Sequence, residues 1–172
     1  MRCATVIAVL SSLVVGCARE TPEGLEQMKY RNEETERVDL PALRRDIMVT
    51  QRELASMGDA ESIVGILEPA YGVLMSCSGG RHQWTGSTTI EYTAAPEREA
   101  YFSLVESKLA HSADLRTKRV FTPDGRDEWL VVWSEDGTRY SITVSAEDSM
   151  VQVQSSSWCF TVQPGQTRRG RF

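Results

Sequence analysis

The chain has 172 residues, 41% hydrophobic and 25% charged, with 24 acidic against 19 basic side chains and a net charge of −5. That is material for one ordinary domain with a single core, and its mildly acidic balance argues against nucleic acid as a partner. Four cysteines and two histidines, with no Cys-x-x-Cys spacing, offer little for a metal centre, and no cofactor is expected.

The chain opens with Met1-Arg2 ahead of an uncharged, mostly apolar run from Ala4 to Val15. This order of charge, apolar run and small residue is that of a secretory signal, and the run is far shorter than the ~20 residues that span a bilayer. Its last four residues, Val14-Val15-Gly16-Cys17, resemble a bacterial lipobox. In that family of signals the peptide is cut before the cysteine, whose thiol carries a diacylglyceryl group. Residues 1–16 are therefore expected to be a lipoprotein signal peptide, and Cys17 the lipidation site. Two or more acyl chains hold a protein stably on a membrane, so the mature chain is expected at the cell membrane, facing outside the cytoplasm. Residues 17–38 then read as the lipidated cysteine and a polar tether, 39–163 as the domain, and 164–172 as a basic C-terminal tail.

Two cysteines remain, Cys77 and Cys159, and in an exported protein such a pair most often forms a disulfide. A loop of that length is worth roughly 4–5 kcal/mol in the chain-entropy model.

Within the domain, Asp39-Leu40-Pro41 starts a helix: a capping carboxylate, then a proline in the first turn, where its missing N–H costs nothing. Leu40, Leu43, Ile47 and Leu54 follow near helical spacing. Gly58-Asp59 interrupts, and Ile63, Val64, Ile66 and Leu67 suggest a second, shorter helix stopped by Pro69. An apolar run, Ala70–Met75, leads to a turn at Cys77-Ser78-Gly79-Gly80. His82–Tyr92 alternates and is rich in β-branched residues, predicting a strand. Pro96 opens a helix from Glu97 to about Ala110, with Tyr101, Phe102, Val105 and Leu109 as its apolar stripe.

A meander follows: Lys118–Thr122, Glu128–Ser134, Arg139–Ser145, Met150–Ser155, and a last segment at Trp158-Cys159-Phe160. Asp124-Gly125 and Asp136-Gly137 between alternating runs are hairpin signals. A parity shift predicts a bulge or break near Ser155-Ser156-Ser157. The expected fold is α+β, with N-terminal helices packed on an antiparallel meander sheet, in one disulfide-stapled domain.

The lipobox at Val14–Cys17, the polar tether, the amphipathic first helix, Cys77 and the terminal Ser155-Ser156-Ser157-Trp158-Cys159 together resemble the actinobacterial LppA-like exported lipoproteins. The resemblance implies a disulfide-stapled α+β domain at the outer membrane face. It supplies no catalytic or ligand residue.

Enzyme chemistry has one candidate, a thiol hydrolase or transferase built on Cys77 and His82, which needs a free thiolate. A disulfide at Cys77 removes it. His82 and His111 lack ligands at helical spacing, and the two Asp-Gly segments lack the twelve-residue calcium loop. No nucleophile elbow, phosphate loop or dinucleotide fingerprint occurs. Binding is the more plausible role. Trp84, Trp129, Trp133 and Trp158 lie in the second half, and Trp129 and Trp133 share a strand face opposite Leu130 and Val132. One face must be covered by helices and the other partly exposed. The expectation is a non-enzymatic domain contacting an envelope protein or cell-wall component, with Trp84, Trp129 and Trp133 as the possible binding face.

Overall fold

A computed structural model describes residues 38–122 and 125–162. The signal segment 1–16, Cys17, the tether before Val38, Asp124 and the basic tail 164–172 lie outside the described residues. Among those described, no helix is long and apolar enough to cross a membrane.

Helix α1 (Leu40–Ala55) begins where the sequence places it. The Asp39 carboxylate accepts from the Ala42 N–H at 3.3 Å, and Pro41 sits in the first turn. Leu40, Leu43, Ile47 and Leu54 form its buried stripe. Burial of such a side chain contributes roughly 1.5–3 kcal/mol, so this stripe fixes the helix to what lies beneath.

The expected second helix is not one. Asp59 caps only a single tight turn, Ala60–Ser62, after which Ile63–Leu67 is strand β1. A short apolar run carries no period of its own. Three β-branched residues, a glycine and the nearby Pro69 leave too little helix propensity, and an unpaired strand edge is at hand. Val73–Ser76 is strand β2. Strand β3 (His82–Tyr92) takes both on one edge in succession: Leu67 pairs with Thr89, and Val73 with Thr85. Residues 68–72 loop out between them. Gly72 and Gly86 make room there for the Trp84 indole, which would lie 2.3 Å from a Cβ at either position.

Helix α2 (Arg98–Leu109) follows, with the Glu97 carboxylate accepting from the Glu99 and Ala100 N–H groups. Then come β4 (Leu115–Phe121), β5 (Glu128–Ser134), β6 (Arg139–Ser145) and β7 (Met150–Ser156). All seven strands form one antiparallel sheet in the order β1-β3-β7-β6-β5-β4, with β2 beside β3. The fold is α+β with one disulfide. Instead of two helices leading into the sheet, one precedes it and one divides it. The final segment contributes only an isolated bridge, His82 with Phe160. β7 keeps an unbroken register to Ser156, so the parity change falls after the strand rather than within it.

Both helices lie on one face. There Trp84 and Ile90, Val151 and Val153, Tyr140 and Ile142, and Leu130 and Val132 meet α1 and α2 in a continuous core. Gln51, Tyr92 and Tyr101 are paired there, whereas the buried Trp84 indole nitrogen has no hydrogen-bond partner among the described residues. The Gln51 amide donates to the Val153 carbonyl at 2.8 Å and accepts from Ser155 Oγ at 3.0 Å. The Tyr92 and Tyr101 hydroxyls both donate to the Ala55 carbonyl, at 2.9 and 2.8 Å, and so cap the end of α1.

Candidate functional site

Cys77, just after β2, is bonded to Cys159, with the Cα atoms 6.2 Å apart. The bridge holds the end of β2 to the segment that follows β7, beside the His82–Phe160 pairing. A disulfide leaves no thiolate at Cys77 for His82 to activate, so the two residues are neighbours without the elements of nucleophilic catalysis. Among the described residues, no group of three or more His, Cys, Asp or Glu side chains is placed to hold a metal; His111 lies exposed beyond α2.

Asp136 is engaged within its hairpin. Its carboxylate accepts from the Thr138 N–H at 2.8 Å and from Ser134 Oγ, while Gly137 takes a φ of 89°. The β4–β5 turn is closed by the Thr122 N–H donating to the Asp127 carbonyl at 2.8 Å, with Gly125 at a φ of 69°. Both segments are turns that require a left-handed residue.

The tryptophans divide. Trp84 is 1% exposed on the helix-covered face, which removes it from the expected binding face. The reason is parity: it shares a face with Thr88, Ile90 and Tyr92, and Gly86 lets the ring lie flat on the strand. Trp158 is half-buried and edge-on to Phe160.

Trp129 and Trp133 stand on the face that bears no helix, half-buried on either side of the fully buried Val131. The register supplies their neighbours. Across β4, Arg116 pairs with Trp133, Lys118 with Val131 and Val120 with Trp129; across β6, Arg139 pairs with Trp133. Directly opposed residues share a face, so Trp133 lies between two exposed arginines, with exposed Lys118 beside it. Further along the same face, β6, β7 and β3 present Ser141, Thr143, Gln152, Thr89 and Ser87.

The other face of β4 is tied down. Arg119 bonds Glu106 at 3.0 and 2.9 Å and Glu99 at 2.6 Å, and lies 5.7 Å from the Phe102 ring centre. The Glu106 and Glu99 carboxylates hold its guanidinium above the usual range. Arg119 thereby anchors α2, while its alternate neighbours Arg116 and Lys118 face outward. The arrangement offers two indole surfaces beside three cations, suited to stacking with hydrogen bonding to an anionic or hydroxylated partner. Residue spacing alone could not locate Arg116, Lys118 and Arg139, because their proximity depends on strand register. The alternation of Arg116, Lys118 and Val120 was its one local signal.

No protein-family model matches the chain, and no curated protein matches it. Among solved structures, the crystal structure of a DUF4853 family protein from Actinomyces odontolyticus is similar, with a TM-score of 0.44 and 18% identity over 78% of this chain and 80% of that chain. At that distance no residue role carries over.

Proposed function

We propose that the chain is a membrane-anchored extracytoplasmic lipoprotein of the LppA-like kind, lipidated at Cys17. Its domain binds an envelope protein or cell-wall component without catalysis. The observation that carries the binding reading is Trp133, half-buried on the helix-free face between exposed Arg116 and Arg139. A partly exposed aromatic with flanking arginines is the composition enriched at contact surfaces. The Cys77–Cys159 bridge supports an oxidising compartment, and the lipobox supports the anchor.

Two measurements test the reading. Intact mass from native membranes, with and without reduction and alkylation, should give a chain beginning at Cys17 with added lipid, and two thiols only after reduction. Co-sedimentation with purified cell wall should then be lost in Trp133→Ala and in the Arg116→Gln/Arg139→Gln pair. Alkylation of Cys77 without reductant, or retention unchanged in both variants, would refute it.

A further inference from the structure

The helix-free face of the sheet changes character away from its tryptophans. Two rows of directly opposed residues cross it at right angles to the strands. One runs Arg116, Trp133, Arg139, Ser156, Thr85 from β4 to β3, and the next runs Lys118, Val131, Ser141, Gln154, Ser87. Neighbouring strands lie about 4.8 Å apart, so each row is about 19 Å long. Beyond β5 this side is polar: β6 from Arg139 to Thr143, β7 from Gln152 to Ser156 and β3 from Thr85 to Thr89 turn only guanidinium, hydroxyl and amide groups to it.

The amides are held in place and keep capacity to bind. Gln154 Nε2 donates to Gln152 Oε1 at 3.1 Å, and Gln152 Nε2 donates to Thr89 Oγ1 at 3.4 Å. A primary amide has two donors and two acceptor sites. Gln154 is exposed, and its bond to Gln152 leaves it one N–H and its carbonyl for a ligand. Side chains already ordered lose less freedom on binding.

Charge on this face is one-sided. Arg116, Lys118 and Arg139 are exposed, and none of them has an ion pair or side-chain hydrogen bond among the described residues. Among the described strand residues, the one acid turned this way is Glu91, at the far end of β3 over Gly65. Three cations against one acid stand out in a chain of net charge −5.

A protein partner would meet an apolar centre, because interface cores are depleted in serine. Here the centre is Ser141, Gln154 and Ser87. Partly exposed indoles beside a belt of hydroxyls and amides suit sugar rings, which offer an apolar ring face and a rim of hydroxyls. The unpaired cations suit carboxylate or phosphate groups.

We infer that these rows bind a linear anionic glycan, one carrying carboxylate or phosphate, laid across the strands from Trp133 toward Ser87. Trp129 and Trp133 stack on sugar rings, Arg116, Lys118 and Arg139 take the acidic groups, and Gln152 and Gln154 bond ring hydroxyls. The inference rests on the binding role proposed for Trp133 and names its ligand.

The test is calorimetric titration of the full chain in detergent with hexagalacturonate, with phosphomannan oligosaccharide and with neutral maltohexaose. An acidic probe should bind about tenfold more tightly than maltohexaose, and more weakly as salt rises. Which acidic probe binds identifies carboxylate or phosphate as the group recognised. Gln152→Ala/Gln154→Ala should weaken binding about fivefold with an unchanged far-ultraviolet spectrum. Equal binding of all three probes, binding of neither acidic one, or full affinity in the double glutamine variant overturns the inference. So does tighter binding of single-stranded oligodeoxythymidylate, which would make the face a nucleic-acid surface. If no glycan binds while purified cell wall is retained by the native chain and lost in Trp133→Ala, the glycan fails and the binding role stands. If the native chain retains neither wall nor probe, both fail.

Discussion

The side-chain amide of Gln51 reaches from α1 to the backbone carbonyl of Val153 in β7, 2.8 Å away across 102 residues of sequence. It is fully buried and also accepts from Ser155. The helix is thus positioned over the sheet by direction-specific bonds as well as by apolar contact. Gln51→Leu should keep the volume but strand the Ser155 hydroxyl, costing about 1–3 kcal/mol. Urea midpoints for Gln51→Leu alone and combined with Ser155→Ala would check this, the second change recovering part of the loss.

The Cys77–Cys159 bridge joins residues 82 apart. Constraining a loop of that size should contribute about 4.5 kcal/mol through the unfolded chain. The Cys77→Ser/Cys159→Ser variant should lose roughly that amount in denaturant, and reduction of the native chain should lower its midpoint similarly.

Burial raises the pKa of the tyrosines whose hydroxyls meet the end of α1 and of Tyr140 on β6. Tyr101 and Tyr92 are shifted upward chiefly by desolvation, and Tyr140 is pushed up to about 12 by the same cause. A folded value above the unfolded value near 10 means the folded state holds its proton more tightly. Their stabilising contribution is complete below about pH 10 and lost as the pH climbs through the folded values. Absorbance at an ultraviolet wavelength specific for tyrosinate should show these residues ionising together with cooperative alkaline unfolding. Tyr101→Phe, which removes the one hydroxyl donor shared by the Leu54 and Ala55 carbonyls, should cost about 1–2 kcal/mol at neutral pH.

Trp84 and Trp133 should behave oppositely. Trp84→Ala empties a core site and should cost about 3–5 kcal/mol. Gly86→Ala should also destabilise, by about 1–3 kcal/mol, because its Cβ would meet the indole at 2.3 Å. Trp133→Ala leaves the helix-covered core intact and should change stability far less. Acrylamide quenching of single-tryptophan variants should reach Trp129 and Trp133 and spare Trp84.

Much of the architecture was legible wherever a local rule governs. Asp39 and Pro41 mark the start of α1, alternation marks β3, and Asp-Gly turns mark the β4–β7 meander. The division of Leu130 and Val132 from Trp129 and Trp133 followed from strand parity alone. The β1 region was misread as helix because four apolar residues around a glycine carry no period, and the deciding factor was a free edge on β3, outside the local window. Trp84 was placed on the binding face because nothing local records that Gly72 and Gly86 leave a slot for it. Arg116 and Arg139 flank Trp133 only through register, which alternation leaves undetermined.

The disulfide also divides the molecule mechanically. Residues 77–159, holding β3 through β7 and α2, are closed by a covalent clasp, while α1, β1 and β2 precede it. A pull through the N-terminus loads those first elements before it reaches Cys77. They could unravel by at most about 130 Å, at ~3.4 Å per residue, and the chain between the cysteines could add none of its own length. Single-molecule extension should show that short release under oxidising conditions and a far longer one after reduction. The clasp makes the N-terminal elements a limited-travel extension ahead of a sheet that cannot be drawn out.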